Sequence, residues 1–136
     1  MTQEEKDLLL KDLCARSYYW PKITPKYGVK AYIYGIKNTN DGLFHVQEIE
    51  EGHDYDIVES VEEFKVYLRP MSSMTEEEIN EFILISDTVL WLGNKRSTCI
   101  LSLEQMDWLN KKMFDYRGLI PMGLALEAKE GMYKTE

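Results

Sequence analysis

Apolar positions recur along this chain with two different periods, and the changes between those periods mark its elements. Thr2 and Glu5 form a capping-box pair ahead of Leu9, Leu10 and Leu13, which share one helical face, so a first helix is predicted to run to about Arg16. The segment SYYWPKITPKYG then interrupts it. Its two prolines remove backbone donors and push the residues before them toward extended conformations, which predicts a surface loop. From Gly28 to Lys37 the period becomes two, with Val29, Ala31 and Ile33 on one side of a strand and Lys30, Tyr32 and Tyr34 on the other. NTNDG is rich in residues that tolerate positive φ, and Leu43 to Ile49 returns as the second arm of a β-hairpin. Tyr55 to Val58 predicts a third strand. Phe64 to Leu68 predicts a fourth, although Ser60 with Glu63 would equally cap a helical turn.

Arg69-Pro70 closes the strand region. In SSMTEEE, Thr75 can cap a helix, Glu78 can reach back to it, and the three glutamates suit the positive end of the helix dipole. Ile79, Phe82, Ile83 and Ser86 share the next face. The apolar run continues to Leu92, and periodicity leaves helix and strand both open for residues 84 to 92. GNKR predicts a turn and Ser97 to Leu101 a short strand. A third helix begins near Ser102 with Gln105 completing another capping box, and its apolar stripe is Met106, Leu109 and Met113, flanked by Leu103 and Phe114. Trp108 projects about 140° from that stripe, toward Lys112. After Asp115 the chain is expected to turn, form a short helical piece around Leu119, and end in Leu124 to Ala128 as an edge strand. The sum is a single α+β domain over residues 1 to 136: about three helices packed on a short, mostly antiparallel sheet that begins with the hairpin.

Length and composition agree with one ordered unit. At 136 residues, with 44% hydrophobic and 29% charged positions, the chain can bury a core without staples. Cys14 and Cys99 lie inside apolar patterns without metal-ligand spacing or a secretory leader ahead of them, which predicts reduced core thiols in a cytoplasmic protein. No apolar run approaches the roughly 18 to 20 residues needed to cross a bilayer, so no membrane association is expected.

Charge changes the picture more by its distribution than by its sum. The net charge of −8 opposes bulk attraction to nucleic acid or anionic lipid. Yet Arg16 to Asn40 holds no acid, while Arg16, Lys22, Lys26, Lys30 and Lys37 interleave with six aromatic residues. Glu48 to Glu63 holds eight acids and neither lysine nor arginine. One side of the domain is therefore expected to be basic and aromatic, the other acidic.

Few constellations support catalysis. His45, in a strand, and His53, in the acidic turn, are the only histidines, and neither is paired in sequence with a nucleophile. EEGHDYD, Glu50 to Asp56, crowds carboxylates around an imidazole but lacks the register of a calcium loop and the spacing of a zinc site, and a solvated acidic turn explains it. Glu50 and Asp54 would divide acid and base roles only if buried or coupled. No glycine-rich loop opens a helix to cradle phosphate. No cofactor, metal or catalytic residue is assigned, and the chain reads more as a binding protein than an enzyme.

Binding candidates fall in two groups. Tyr18, Tyr19 and Trp20 form an aromatic cluster in the proline-bounded loop, and Trp108, Tyr116 and Arg117 place aromatics beside a guanidinium at the end of the third helix. Residues of these types dominate protein interfaces. For Trp108, Tyr116 and Arg117 an internal cation–π or salt-bridge clasp, Arg117 pairing with Asp115 or Asp107, is the favoured reading. Lys30, Tyr32 and Tyr34 would form the platform of a single-stranded nucleic-acid or nucleotide site. Arg69 would either hold an anion at the following helix N-terminus or make a buried clasp with one of the chain's many glutamates, the second reading being favoured.

Four blocks also carry a resemblance: TQEEKDLLLKDLCAR at the start, YGVK entering the first strand, YLRPMSSMTEEE in the centre, and DWLN with FDYRGLI and GLALEA toward the end. Together they resemble a family of small uncharacterised proteins from gut Bacteroidetes and their phages or mobile elements. The loop between Ser17 and Lys26 is longer here than in that pattern. The resemblance implies a cytoplasmic accessory protein and brings no assigned activity. The combined expectation is an accessory or regulatory protein that binds an unidentified protein partner. Nucleic-acid binding is the alternative, and a second copy of the chain is a further candidate to cover the exposed aromatics.

Overall fold

The computed structural model describes residues 1–25, 31–38, 44–50, 57–85 and 102–133. It shows an α+β fold in which helices pack on a mostly antiparallel sheet. Helix α1 (Gln3–Arg16) opens with the expected capping box between Thr2 and Glu5. Its buried positions are Leu9, Asp12, Leu13 and Arg16, spaced i, i+3, i+4, i+7 on one face. A single 3₁₀ turn, Ser17–Tyr19, follows. The loop predicted after it contains a strand instead: β1 (Lys22–Ile23) pairs with both β2 (Ala31–Asn38) and β5 (Val66–Leu68). Ile23 is buried there, and the N–H of Ile33 donates to the Pro21 carbonyl at 2.9 Å. The prolines flank the strand without entering its ladder, so the segment joins the sheet interior despite its loop-like composition.

The remaining strands are β3 (Phe44–Glu50), β4 (Ile57–Ser60) and β6 (Ala125–Glu127), and the sheet order is β4-β3-β2-β1-β5-β6. All pairings are antiparallel except β5 with β6. The β2–β3 hairpin is present, preceded in the sheet by β1. Its register shifts between Ile33 and Gly35, so Tyr34 is the extra residue of a bulge.

Between the parallel strands the chain carries α2 (Glu76–Leu84) and α3 (Leu103–Lys111), each opening with its expected capping box, Thr75 with Glu78 and Ser102 with Gln105. Helix α2 continues through Leu84. Residues 86 to 92, the GNKR turn, the strand expected at 97 to 101, Cys99, Lys30, His53 and most of the EEGHDYD turn lie outside the described residues. Turns rather than a helical piece surround Leu119, with Gly118 and Gly123 both at φ +77, a conformation a side chain would strain. β6 forms at the edge predicted for it.

The main core joins Leu9 and Leu13 of α1 to Ile23, Ala31, Ile33, Val66 and Leu68 of the central strands, with Leu119 and Leu124 closing it from the C-terminal segment. A second cluster centres on Trp108, Leu109 and Phe114, against which Met74, Phe82 and Ile85 pack. Cys14 lies outside both and is exposed, because the buried face of α1 turns through Asp12 and Arg16. Partial burial still pushes its thiol above the ordinary value. Among the described residues no helix is long and apolar enough to cross a membrane.

Candidate binding surface around Trp20

Trp20 has φ 56 and ψ 64, the left-handed region, where a bulky side chain is strained. The 3₁₀ turn before it closes with Trp20 N–H donating to the Ser17 carbonyl at 3.2 Å. Pro21 disfavours the right-handed α region for the residue before it and favours extended backbone, so the left-handed conformation is one that the surrounding contacts must hold.

The indole is then fixed by stacking on Tyr32, with ring centroids 5.2 Å apart and planes 8° from parallel. The β1–β2 register places Lys22 opposite Tyr32, bringing this tyrosine to the end of the aromatic loop. Trp20 nevertheless remains 55% exposed and Tyr18 83% exposed. Tyr18 meets Tyr19 edge-on at 5.2 Å and 89°. The Tyr19 hydroxyl donates to Asp107 Oδ1 of α3 at 2.6 Å, and that hydrogen bond, with the carboxylate charge, pushes the phenol up to about 12. Two aromatic residues are thus held out to solvent by a third and a fourth whose own positions are pinned.

Two cations of the basic-aromatic segment, Lys22 and Arg16, are engaged internally. Lys22 Nζ donates to the Met132 carbonyl at 2.7 Å, and the Lys22 N–H donates to the Tyr133 hydroxyl at 2.7 Å. That hydroxyl in turn donates to the Tyr67 carbonyl at 2.7 Å, and withdrawal from solvent holds the phenol above its ordinary range. Arg16 is fully buried. Its Nε and Nη2 donate to the two carboxylate oxygens of Asp12 at 2.8 and 3.0 Å, and Nη2 also reaches the Phe114 carbonyl at 2.7 Å.

Arg117 and Tyr116 belong to this same internal clasp. Arg117 Nε donates to Asp12 Oδ1 at 3.1 Å, so its partner is neither Asp115 nor Asp107. Asp115 instead accepts from the backbone N–H groups of Leu119 and Ile120, at 2.8 and 2.9 Å. Both guanidinium groups lie against the Tyr116 ring, 5.2 Å (Arg16) and 5.0 Å (Arg117) from its centroid, and the Tyr116 hydroxyl donates to Asn110 at 2.8 Å. The element missed from the sequence is Asp12. Its signal was the i, i+4 relation to Arg16 on the helical face that already contained Leu9 and Leu13.

Trp108 is a correction. It is 7% exposed, stacks on Phe114 at 5.7 Å and 18°, and donates its indole N–H to Glu81 at 2.8 Å. The buried face of α3 runs through Gln105, Trp108 and Leu109, while Leu103 is 82% exposed. Phe82 of α2 packs against the indole at 5.5 Å, so a neighbouring helix covers a side that periodicity within α3 assigned to solvent. Met113, expected on the helical stripe, lies beyond the helix at φ 63.

Compared with family models, curated proteins and solved structures, the chain matches none. The surface must be interpreted from its own chemistry.

Elsewhere among the described residues an open cleft of about 630 Å³ lies between the start of α2 and the segment after β6, lined in part by Arg69, Thr75, Glu78, Lys112 and Tyr133. Arg69 meets the favoured expectation there. Its two terminal nitrogens donate to both oxygens of Glu78 at 2.8 and 2.7 Å, so a carboxylate of the chain itself takes the place of an anion. Glu78 also accepts from the Thr75 N–H at 3.0 Å. The Arg69 hydrogen bonds hold Glu78 down at about 2. A depressed carboxyl stabilises the fold above its unfolded value of 4.5, and that contribution disappears as pH falls toward 2. Urea midpoints measured from pH 5.5 to 2.5 should therefore fall less steeply in Glu78→Gln than in the parent, and equal slopes would contradict the assignment. Among the described residues no three His, Cys, Asp or Glu side chains converge as metal ligands.

Proposed function

We propose that this chain is a small cytoplasmic accessory protein that acts by binding another protein through Tyr18, Tyr19 and Trp20. The observation that carries the reading is Trp20 itself: a bulky residue held in a left-handed conformation, stacked on one face and open on the rest. Backbone strain of this kind persists where surrounding structure enforces it, and it concentrates at functional sites. Large aromatics with few rotatable bonds are also the side chains that dominate protein interfaces. The mobile-element setting implied by the sequence resemblance is part of the same proposal and suggests a bacterial host lysate as the source of the partner.

Single-stranded nucleic acid would use the same stacked rings, but it needs cations beside them. Of the segment's cations, the two whose contacts are described, Arg16 and Lys22, are committed to Asp12 and Met132, and the net charge of −8 adds repulsion. Protein binding is the better supported use.

The test compares the parent with the double variant Tyr18→Ser/Trp20→Gly in affinity recovery from a nuclease-treated lysate. Glycine removes the indole and relieves the left-handed backbone at once, so the fold should survive, as thermal melting would verify. A stoichiometric protein partner should be retained by the parent and lost by the variant. Equal retention by both would show that the binding surface lies elsewhere.

A further inference from the structure

We infer that the segment received at this surface is basic, presenting an arginine or lysine side chain to the open face of the Trp20 indole. The inference rests on the protein-binding role proposed for Trp20 and adds the chemistry of the partner. Tyr32 covers one face of the indole in a near-parallel stack, and the ring is still 55% exposed. The face opposite Tyr32 is therefore a fixed π surface directed at solvent. Cations bind such faces through the ring quadrupole, and tryptophan is the best aromatic for it.

Among the described residues the electrostatic surroundings favour the same sign. The aromatic turn follows directly on the carboxyl end of α1, a helix of 14 residues whose terminal carbonyl groups carry partial negative charge. The cation in its last turn, Arg16, is withdrawn into the core and paired with Asp12, so it does not offset that field at the surface. Tyr19 is tied to the Asp107 carboxylate, which brings a full negative charge to the edge of the aromatic cluster. Lys22, the next cation along, donates its ammonium to a backbone carbonyl. The whole chain contributes −8, which steers cationic partners toward it and anionic ones away. Lys111, exposed and one helical turn beyond Asp107, acts in the opposite direction.

The experiment follows the ¹H–¹⁵N signal of the Trp20 indole during titration with a blocked hexapeptide of alternating arginine and glycine. Parallel titrations use the matching glutamate–glycine peptide and a six-residue oligothymidylate. The arginine peptide should shift the Trp20 signal saturably, more weakly as salt is raised, while the other two leave it in place. Signals of residues flanking the site should report about fivefold weaker binding in Trp20→Gly, the loss expected for one exposed cation–π contact. Lys111→Glu should strengthen it, a readout that does not depend on removing the aromatic.

Equal or stronger shifts with the glutamate peptide or the oligonucleotide would overturn the inference. So would no response to arginine, or the same shifts on concentrating the protein alone, which would make a second copy the occupant. The two levels separate cleanly. A lysate partner lost by Tyr18→Ser/Trp20→Gly, together with a silent arginine titration, removes only the basic character of the segment. A partner indifferent to that variant removes the surface itself.

Discussion

Asp12→Ala is expected to destabilise the fold by about 3–5 kcal/mol, the range for breaking a buried ion pair from one side. Asp12 and Arg16 are both fully buried, and Arg117 shares the Asp12 carboxylate. Removing the carboxylate strands a guanidinium that cannot deprotonate and has little access to water. Its remaining hydrogen bond runs to the Phe114 carbonyl, and its Nη1 has no partner among the described residues even in the parent. The damage should be relieved by taking both charges away. In Asp12→Leu/Arg16→Met two apolar side chains replace the pair, and much of the lost stability should return, because desolvating the two ions offsets most of their attraction in the parent. Urea denaturation followed by far-ultraviolet circular dichroism would measure both. A single variant within about 1 kcal/mol of the parent would show that the clasp is more solvated than its geometry indicates.

Phe114→Ala should cost about 3–5 kcal/mol, as large aromatic truncations in cores do. Phe114 is fully buried and joins several parts of the fold. Its ring stacks on Trp108 and lies under the Arg69 guanidinium at 4.2 Å, while its carbonyl accepts from Arg16. The backbone on either side is bonded to Arg69, whose N–H donates to the Met113 carbonyl and whose carbonyl accepts from Asp115 N–H, at 2.7 and 2.8 Å. These bonds keep the segment in place after truncation, so the cavity cannot collapse easily. Phe114→Leu retains much of the bulk and should cost clearly less. Comparable losses for the two substitutions would place the importance of this position in its ring contacts rather than its volume. A loss below about 1 kcal/mol for alanine would mean that the site repacks.

Local reasoning succeeds at the helix starts. Thr2 with Glu5, Thr75 with Glu78 and Ser102 with Gln105 each form the reciprocal cap expected of them. A cap involves four consecutive residues and the amides of one turn, so its physics is complete within the sequence. The edge position of β6 was legible for a related reason, and so was a clasp of Arg69 to a glutamate, while the choice of Glu78 came from the structure.

The errors share a different cause. Trp108 lies off the apolar stripe of its own helix, but α2 covers that side, and burial belongs to the pair of helices. Arg16 and Asp12 look like an ordinary exposed i, i+4 ion pair until Phe114 and Arg117 arrive from about a hundred residues away and close over them. β1 has loop composition, yet two neighbouring strands supply its pairing. Cys14, with apolar neighbours in sequence, faces outward because charged residues took the inner face.

By itself, then, the sequence determined the α+β class, the helix starts, the hairpin and the excess of acid over base. These follow from short-range sterics, hydrogen bonding within single turns, and counting charge. Tertiary structure decided which aromatics remained outside. The sequence offered Trp20 and Trp108 alike as exposed contact residues, but one turns outward on a strained residue before proline and stacks on a strand, while the other is enclosed between two helices. Exposure depends on what long-range packing leaves uncovered, and no window of sequence contains that information.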